Sequence, residues 1–317
     1  MKLNEANKNY KKGEDYLKTS CLKCRFESDY TSAIPYFKSA ADDYHTCGNF
    51  EKELDARKKL VKCFQNEKSY WEEGNEYEKI SRVQLEQLKS PSDSYNSIEN
   101  AFNAYINNRT YDDAIKALNK SSNNFIDKEN KKEAEKVLDF AFDGINKYYH
   151  VIILDKDEDC SYVYECIDKY IDLLFDQEKY KKCAEISKKS AELIENENIK
   201  EKRVISKYYA YQALAELLDK KDDKFSKTIE KGIKFESGEN GLCHKIKKLI
   251  NIVKEHNNNN QKLITSLFYD ISSKVPNSVS KKLYKFIEEN KVNNDNNNNI
   301  NNDNNNDKNT DFEEDMK

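Results

Sequence analysis

Glycine and proline, the residues that end helices and shape hairpins, are scarce here: seven glycines and three prolines in 317 residues. An average globular chain would hold roughly 12% of the two together. That scarcity argues against a fold rich in tight turns and points to long helices joined by short connections. Long apolar runs are also missing. Nothing approaches the roughly 18 residues that a membrane-spanning helix needs, and the opening Met1-Lys2-Leu3-Asn4-Glu5 is polar, with no signal-peptide core. The expectation is a soluble, cytoplasmic protein. A strong net charge is lacking as well. The total is -4, and positions 291–317 account for all of it with seven acids and three lysines. The remaining chain is neutral and has none of the basic field that a general nucleic-acid binder needs.

What is present is charge of both signs and aromatic surface. Charged residues make up 35% of the chain and hydrophobic residues 37%. Most helices can therefore bury one stripe and leave the opposite face in water, which suits thin layers of helices better than one thick core. The stripe is countable in 163–174, where Val163, Cys166, Ile167, Tyr170, Ile171 and Leu174 fall on one helical face. Cys183, Ile186, Ser190, Leu193 and Ile194 repeat the pattern in 183–194. Val151-Ile152-Ile153-Leu154 is the one run short and apolar enough to read as a strand, against a helical context.

A degenerate repeat pairs an aromatic with a small residue three or four positions on: Tyr30 with Ala33, Tyr70 with Gly74, Tyr111 with Ala114, and Tyr180 with Cys183-Ala184. Phe225 continues the series after Tyr180. A period of roughly 40 residues is that of a helix pair, the unit of tetratricopeptide-like solenoids, in which an aromatic packs over a small residue of the next helix. An irregular bundle of similar helices is the other reading. Asn257 to Asn260 reads as a surface insertion. From 293 to 309 the chain is mostly asparagine, a poor helix former with nothing to bury, so the folded part should end near Asn290. The expected domains are a helical-hairpin array over 1–220, a helical bundle over 221–290, a disordered spacer over 291–310 and an acidic, hydrophobic terminal peptide over 311–317.

Motifs for chemistry are sparse. Cys21-Leu22-Lys23-Cys24 has redox or half-zinc spacing without a second half. The eight cysteines sit in helical segments and read as reduced packing residues. Asp155 to Asp159 imitates the start of a calcium loop, but Cys160 stands where glycine is required and Cys166 where the closing glutamate belongs. His45, His150, His244 and His256 have no recognisable nucleophile partner, and no phosphate-binding glycine motif occurs. No metal or cofactor is implied, and a binding protein is expected rather than an enzyme, although catalytic groups can converge from distant positions.

Residues 14–41 read EDYLKTSCLKCRFESDYTSAIPYFKSAA. Here the chain resembles the soluble NSF attachment proteins, the SNAP family, and its gamma class most closely. The likeness is carried by Tyr16-Leu17-Lys18-Thr19, Leu22-Lys23, Asp29-Tyr30, Ser32-Ala33, Phe37 and Ala40-Ala41. Tyr105, Asn108, Thr110, Asp112, Ala114 and Ala117-Leu118 continue it. The resemblance implies an all-α fold: a twisted, right-handed array of antiparallel helical hairpins followed by a C-terminal helical bundle. It also implies an adaptor that wraps assembled SNARE complexes, sits peripherally on membranes and recruits the NSF ATPase for SNARE disassembly in vesicle fusion and intracellular transport. Carried over by residue, the ATPase-docking peptide would be Glu313, Glu314, Asp315 and Met316, with Met316 in the family's penultimate leucine place. Contacts with SNAREs or anionic membrane would fall to Lys18, Leu22, Lys23, Arg25 and Phe26. The chain departs from the gamma pattern in a slightly longer loop with Cys24 in place of its tryptophan, in its long asparagine spacer, and in an ending closer to the alpha class. The alternative is a helical-repeat scaffold for other partners with no role in SNARE disassembly.

Overall fold

The computed structural model describes residues 2–19, 27–154, 160–197, 199–255 and 260–290. Among these, every long element is a helix and none is a strand. The first seven are α1 (Lys2–Leu17), α2 (Tyr30–Thr46), α3 (Phe50–Glu67), α4 (Tyr70–Glu86), α5 (Pro91–Asn107), α6 (Tyr111–Asp127) and α7 (Lys131–Leu154). They are followed by α8 (Ser161–Asp176), α9 (Tyr180–Glu197), α10 (Lys202–Leu218), α11 (Asp222–Ile233), α12 (Leu242–Lys254) and α13 (Gln261–Ser272), and by α14 over 277–290. Val151 to Leu154 closes α7, so the strand reading of that run is set aside.

From α2 to α7 the helices begin at Tyr30, Phe50, Tyr70, Pro91, Tyr111 and Lys131, an even spacing. Taken in pairs, they match the two-helix unit of roughly 40 residues found in helical-repeat arrays. The repeat aromatics Tyr30, Tyr70, Tyr111 and Tyr180 are each the first residue of a helix. Each helix packs on the next, from α1 on α2 through α6 on α7, and connections this short make neighbours antiparallel. This is an array of helical hairpins. The packing device is an aromatic ring over a glycine. A Cβ at Gly13 would fall 2.9 Å from the Phe37 ring, one at Gly74 2.8 Å from Tyr105, and one at Gly144 2.8 Å from Phe102.

The turns solve a problem that the glycine shortage creates. Gly48, Lys68, Lys89, Arg109, Glu129, Glu178 and Lys220 each sit between two helices with φ between 53° and 69°. After all but Lys89, the following amide reaches back five positions: Asn49 to the Tyr44 carbonyl (2.9 Å), Ser69 to Phe64 (2.9 Å) and Thr110 to Tyr105 (3.0 Å). Asn130 to Phe125, Lys179 to Leu174 and Lys221 to Glu216 do the same at 2.9 Å. This is a Schellman closure, which satisfies orphan carbonyls at the helix end. Only Gly48 enters the left-handed region without steric cost; a side chain there costs roughly 1–2 kcal/mol.

The chain divides into two compact units, Met1–Ile167 and Asp168–Lys317. In the second, α10 packs against α9, α11 and α12, and twelve of its 17 residues are buried, including Tyr208, Tyr209 and Tyr211. The expected boundary at 220/221 corresponds to the turn between α10 and α11, inside this unit.

Candidate functional site

The N-terminal loop is framed by the α1–α2 hairpin. The Asp29 side chain caps α2 by accepting from the Ser32 amide (2.9 Å). Ser28 Oγ donates to the Leu17 carbonyl (2.7 Å), and the Asp29 amide donates to the Tyr16 carbonyl (3.0 Å). These two bonds tie the end of α1 to the start of α2. The frame is stiffened by Tyr16 stacked on Tyr36 (5.4 Å between centroids), Lys12 over the Tyr36 ring (5.4 Å) and Phe37 seated on Gly13.

Of the residues that resemblance assigns to SNARE or membrane contact, the structure places Lys18. Its side chain is exposed and pairs with Asp15 at 3.0 Å, and that hydrogen bond holds its ammonium above the usual lysine range. Leu22, Lys23, Arg25 and Phe26 lie outside the described residues, as do Cys21, Cys24 and the terminal Glu313, Glu314, Asp315 and Met316.

A charged cluster between α2, α3 and α4 escaped the sequence reading. Arg57 donates through Nε to Glu53 (2.8 Å) and through Nη1 to Glu76 (3.0 Å), and Nη2 lies 3.5 Å from Asp42. All three central residues are buried: Arg57 is 7% exposed, Glu53 0% and Glu76 3%. His45 Nδ1 lies 2.8 Å from the other oxygen of Glu53, and Lys79 pairs with Glu76. Burial opposes the charge on Arg57, but Glu76 and Glu53 outweigh it and hold the guanidinium above its usual range. The signal was present in the spacing. Glu53 and Arg57 share one helical stripe with Ala56, Leu60 and Val61, all buried, and charges on an apolar stripe are either paired or misplaced.

Four of the described cysteines serve as packing residues. Cys63, Cys166, Cys183 and Cys243 are buried, Cys160 is half-buried and Cys47 is exposed. Burial pushes the Cys63 thiol up to about 11 and that of Cys243 to about 12, and it raises Cys183 as well. Such thiols carry almost no thiolate near neutral pH. Among the described residues, no three His, Cys, Asp or Glu side chains converge to hold a metal ion, and no helix is long and apolar enough to cross a membrane.

No model of a known protein family matches the chain, and no curated protein does. Among solved structures, the chain is similar to the crystal structure of BtubC (BKLC) from P. vanneervenii, at 10% sequence identity and a TM-score of 0.34. The similarity covers 74% of this chain and 89% of that one, and it is too weak to assign a role.

Proposed function

We propose that this protein is an adaptor of the SNAP kind, binding assembled SNARE complexes and recruiting the NSF ATPase that takes them apart. One observation carries the reading. Of the residues shared with that family at 14–41, those that the structure describes belong to a single built unit, the α1–α2 hairpin. Ala33, Phe37, Ala40 and Ala41 lie on the buried face of α2, and Tyr16, Leu17 and Asp29, with the unshared Ser28, tie the end of α1 to the start of α2. The second matched stretch behaves alike: Tyr105, Ala114, Ala117 and Leu118 are all buried. The helical-hairpin array supports the proposal by offering extended surface, the requirement of a protein that holds a long partner.

In this reading the adaptor supplies geometry and the ATPase supplies energy. The loop basics Lys18, Lys23 and Arg25 face an acidic SNARE surface or anionic lipid at the membrane. The acids near the C-terminus steer that peptide to a basic docking surface, where Met316 fills an apolar pocket. The test is retention of NSF, held in a non-hydrolysing nucleotide state, on the immobilised protein with and without an assembled SNARE complex. Retention that increases with SNAREs present supports the proposal. No retention in either case favours a scaffold for other partners.

A further inference from the structure

Helix α11 carries its charges on separate sides. Asp222 and Glu230 turn to α12, where they pair with Lys254 (2.8 Å) and Lys247, and Asp223 sits in the first turn. Lys224, Lys227, Lys231 and Lys234, spaced at i, i+3, i+7 and i+10, share one exposed stripe. None of these lysines makes an ion pair among the described residues, and Lys231 lies over the Tyr209 ring at 6.0 Å.

At its N-terminal end the stripe enters a groove of about 300 Å³ between α9 and α11, floored by α10. Lys224 stands on one wall and Lys181 and Lys188 on the other, while Tyr180, Ala184 and Ala215 supply an apolar part. The acids around it are engaged. Glu185 pairs with Lys189 at 2.7 Å, Glu192 reaches Lys188 at 3.7 Å, and Glu216 accepts from Gln212 and Thr228. Asp219 is held below the usual carboxylate range by its hydrogen bond from Lys221, and Lys181 and Lys224 act on the same group. One carboxylate thus answers three cations, and the stripe beyond adds Lys227, Lys231 and Lys234.

The chain beyond Asn290 starts beside this groove. Helix α14 is seated against the start of α9: the Ser278 amide donates to Asp172 (2.9 Å), and Lys282 pairs with Glu178, just before Tyr180. Burial raises the Tyr180 phenol, and Lys282 and Glu289, the latter in the last turn of α14, act on it as well. Positions 291–310 then lead to 311–317, where Asp311, Glu313, Glu314 and Asp315 accompany Phe312, Met316 and Lys317. A random coil as long as that spacer spans roughly 25 Å, and α11 from Lys224 to Lys234 runs about 15 Å.

We propose that the peptide 311–317 docks in cis on the lysine stripe of α11 and the groove beside it. Its acids meet Lys181, Lys224, Lys227 and Lys234, and its apolar side chains lie over Tyr180, Ala184 and Ala215. Attachment to the same chain raises the peptide's local concentration to about the millimolar range, so exposed charge pairs that are weak one by one suffice. In the adaptor reading, on which this consequence rests, the contact withholds the ATPase-docking peptide until a partner competes for it.

The test uses the full chain with Phe312 replaced by the photocrosslinker benzoylphenylalanine. An equal mixture of isotopically light and heavy protein separates crosslinks within a chain from those between chains. The expected result is intrachain crosslinks concentrated on 180–188 and 222–234. Lys224→Glu/Lys227→Glu/Lys234→Glu should reduce them about fivefold or more, since three exposed attractions become repulsions. Adding Glu313→Lys/Glu314→Lys to that variant should restore part of the yield. Lys58→Glu/Lys62→Glu, which reverses exposed charges on α3, should change nothing. A milder Lys224→Gln/Lys227→Gln/Lys234→Gln variant, with thermal melting of each protein, guards against misfolding and should lose a smaller share. The proposal is overturned if crosslinks in the parent are absent, scattered over both units or found only between chains, the last identifying a second copy as the occupant. It is equally overturned if intrachain crosslinks are absent and phosphatidylserine vesicles sediment the parent but not the α11 variants, which identifies a membrane surface. Retention of NSF is measured separately and should rise in the α11 variants. Intrachain crosslinks at α9 and α11 with no NSF retained by any variant uphold the docking and count against the adaptor reading alone.

Discussion

Both units bury ionisable groups between helices, and they compensate them differently. In the first, Arg57 stands between Glu53 and Glu76, so a cation answers the carboxylates across α3 and α4. In the second, Glu216 is 8% exposed and accepts from neutral donors, Gln212 Nε2 at 2.9 Å and Thr228 Oγ1 at 2.7 Å. No cation lies within ion-pair distance of Glu216 among the described residues. A buried ion pair contributes little net stability but is costly to break from one side, because a charge is stranded. A carboxylate held by neutral donors loses one hydrogen bond at a time. The two units should therefore fail by different amounts when one partner is removed.

The largest effect is expected from Arg57→Met, which leaves Glu53 and Glu76 without their shared cation. Chemical denaturation should show a loss of about 3–5 kcal/mol. Replacing all three residues with apolar ones of similar volume should restore most of it. If the triple variant is as unstable as the single one, shape rather than charge holds the cluster. Thr228→Val, which keeps the volume and removes one donor to Glu216, should cost less, about 1–3 kcal/mol.

A smaller effect is expected at the turns. Lys68→Gly and Arg109→Gly relieve left-handed side chains and should each stabilise by about 0.5–1 kcal/mol, and Gly48→Ala should cost about 1 kcal/mol. Equal and opposite signs in one melting series would establish the turn account; no gain from either glycine would refute it.

The smallest concerns Asp168, whose burial raises its carboxyl above the ordinary aspartate value while Lys207 pulls it back. The folded state then holds a proton that the unfolded state releases, so this group's contribution falls as pH rises through the range just above the ordinary value. The melting temperature of Asp168→Asn minus that of the parent should grow as pH rises through that window, measured in matched buffers. A flat difference would mean that Lys207 fully compensates the burial.

Most of the helical frame was legible in the chain because stripes announce themselves. Val163, Cys166, Ile167, Tyr170, Ile171 and Leu174 are all buried as the spacing requires. The turns were less legible. Their left-handed residues are mostly lysine, arginine and glutamate, types that carry no turn signal and are held there by the Schellman bonds and the packing around them. The spacing puts Glu53 and Arg57 on one apolar stripe, but their partner Glu76 comes from the next helix, and sequence spacing shows only neighbours on one helix. The loop site divides the same way. Its basic residues are visible as residues, while its closure depends on Ser28 reaching the Leu17 carbonyl across 11 positions, a contact without a pattern.

The adaptor proposal is tested most directly at its coupling point, by reconstituted SNARE disassembly with NSF, comparing the parent with Met316→Ala and Met316→Leu. Leucine should preserve both disassembly and stimulated ATP hydrolysis, while alanine should lose both by about tenfold or more, the effect of removing one buried apolar side chain, with SNARE binding intact. Alanine that matches the parent in both assays would contradict the proposal.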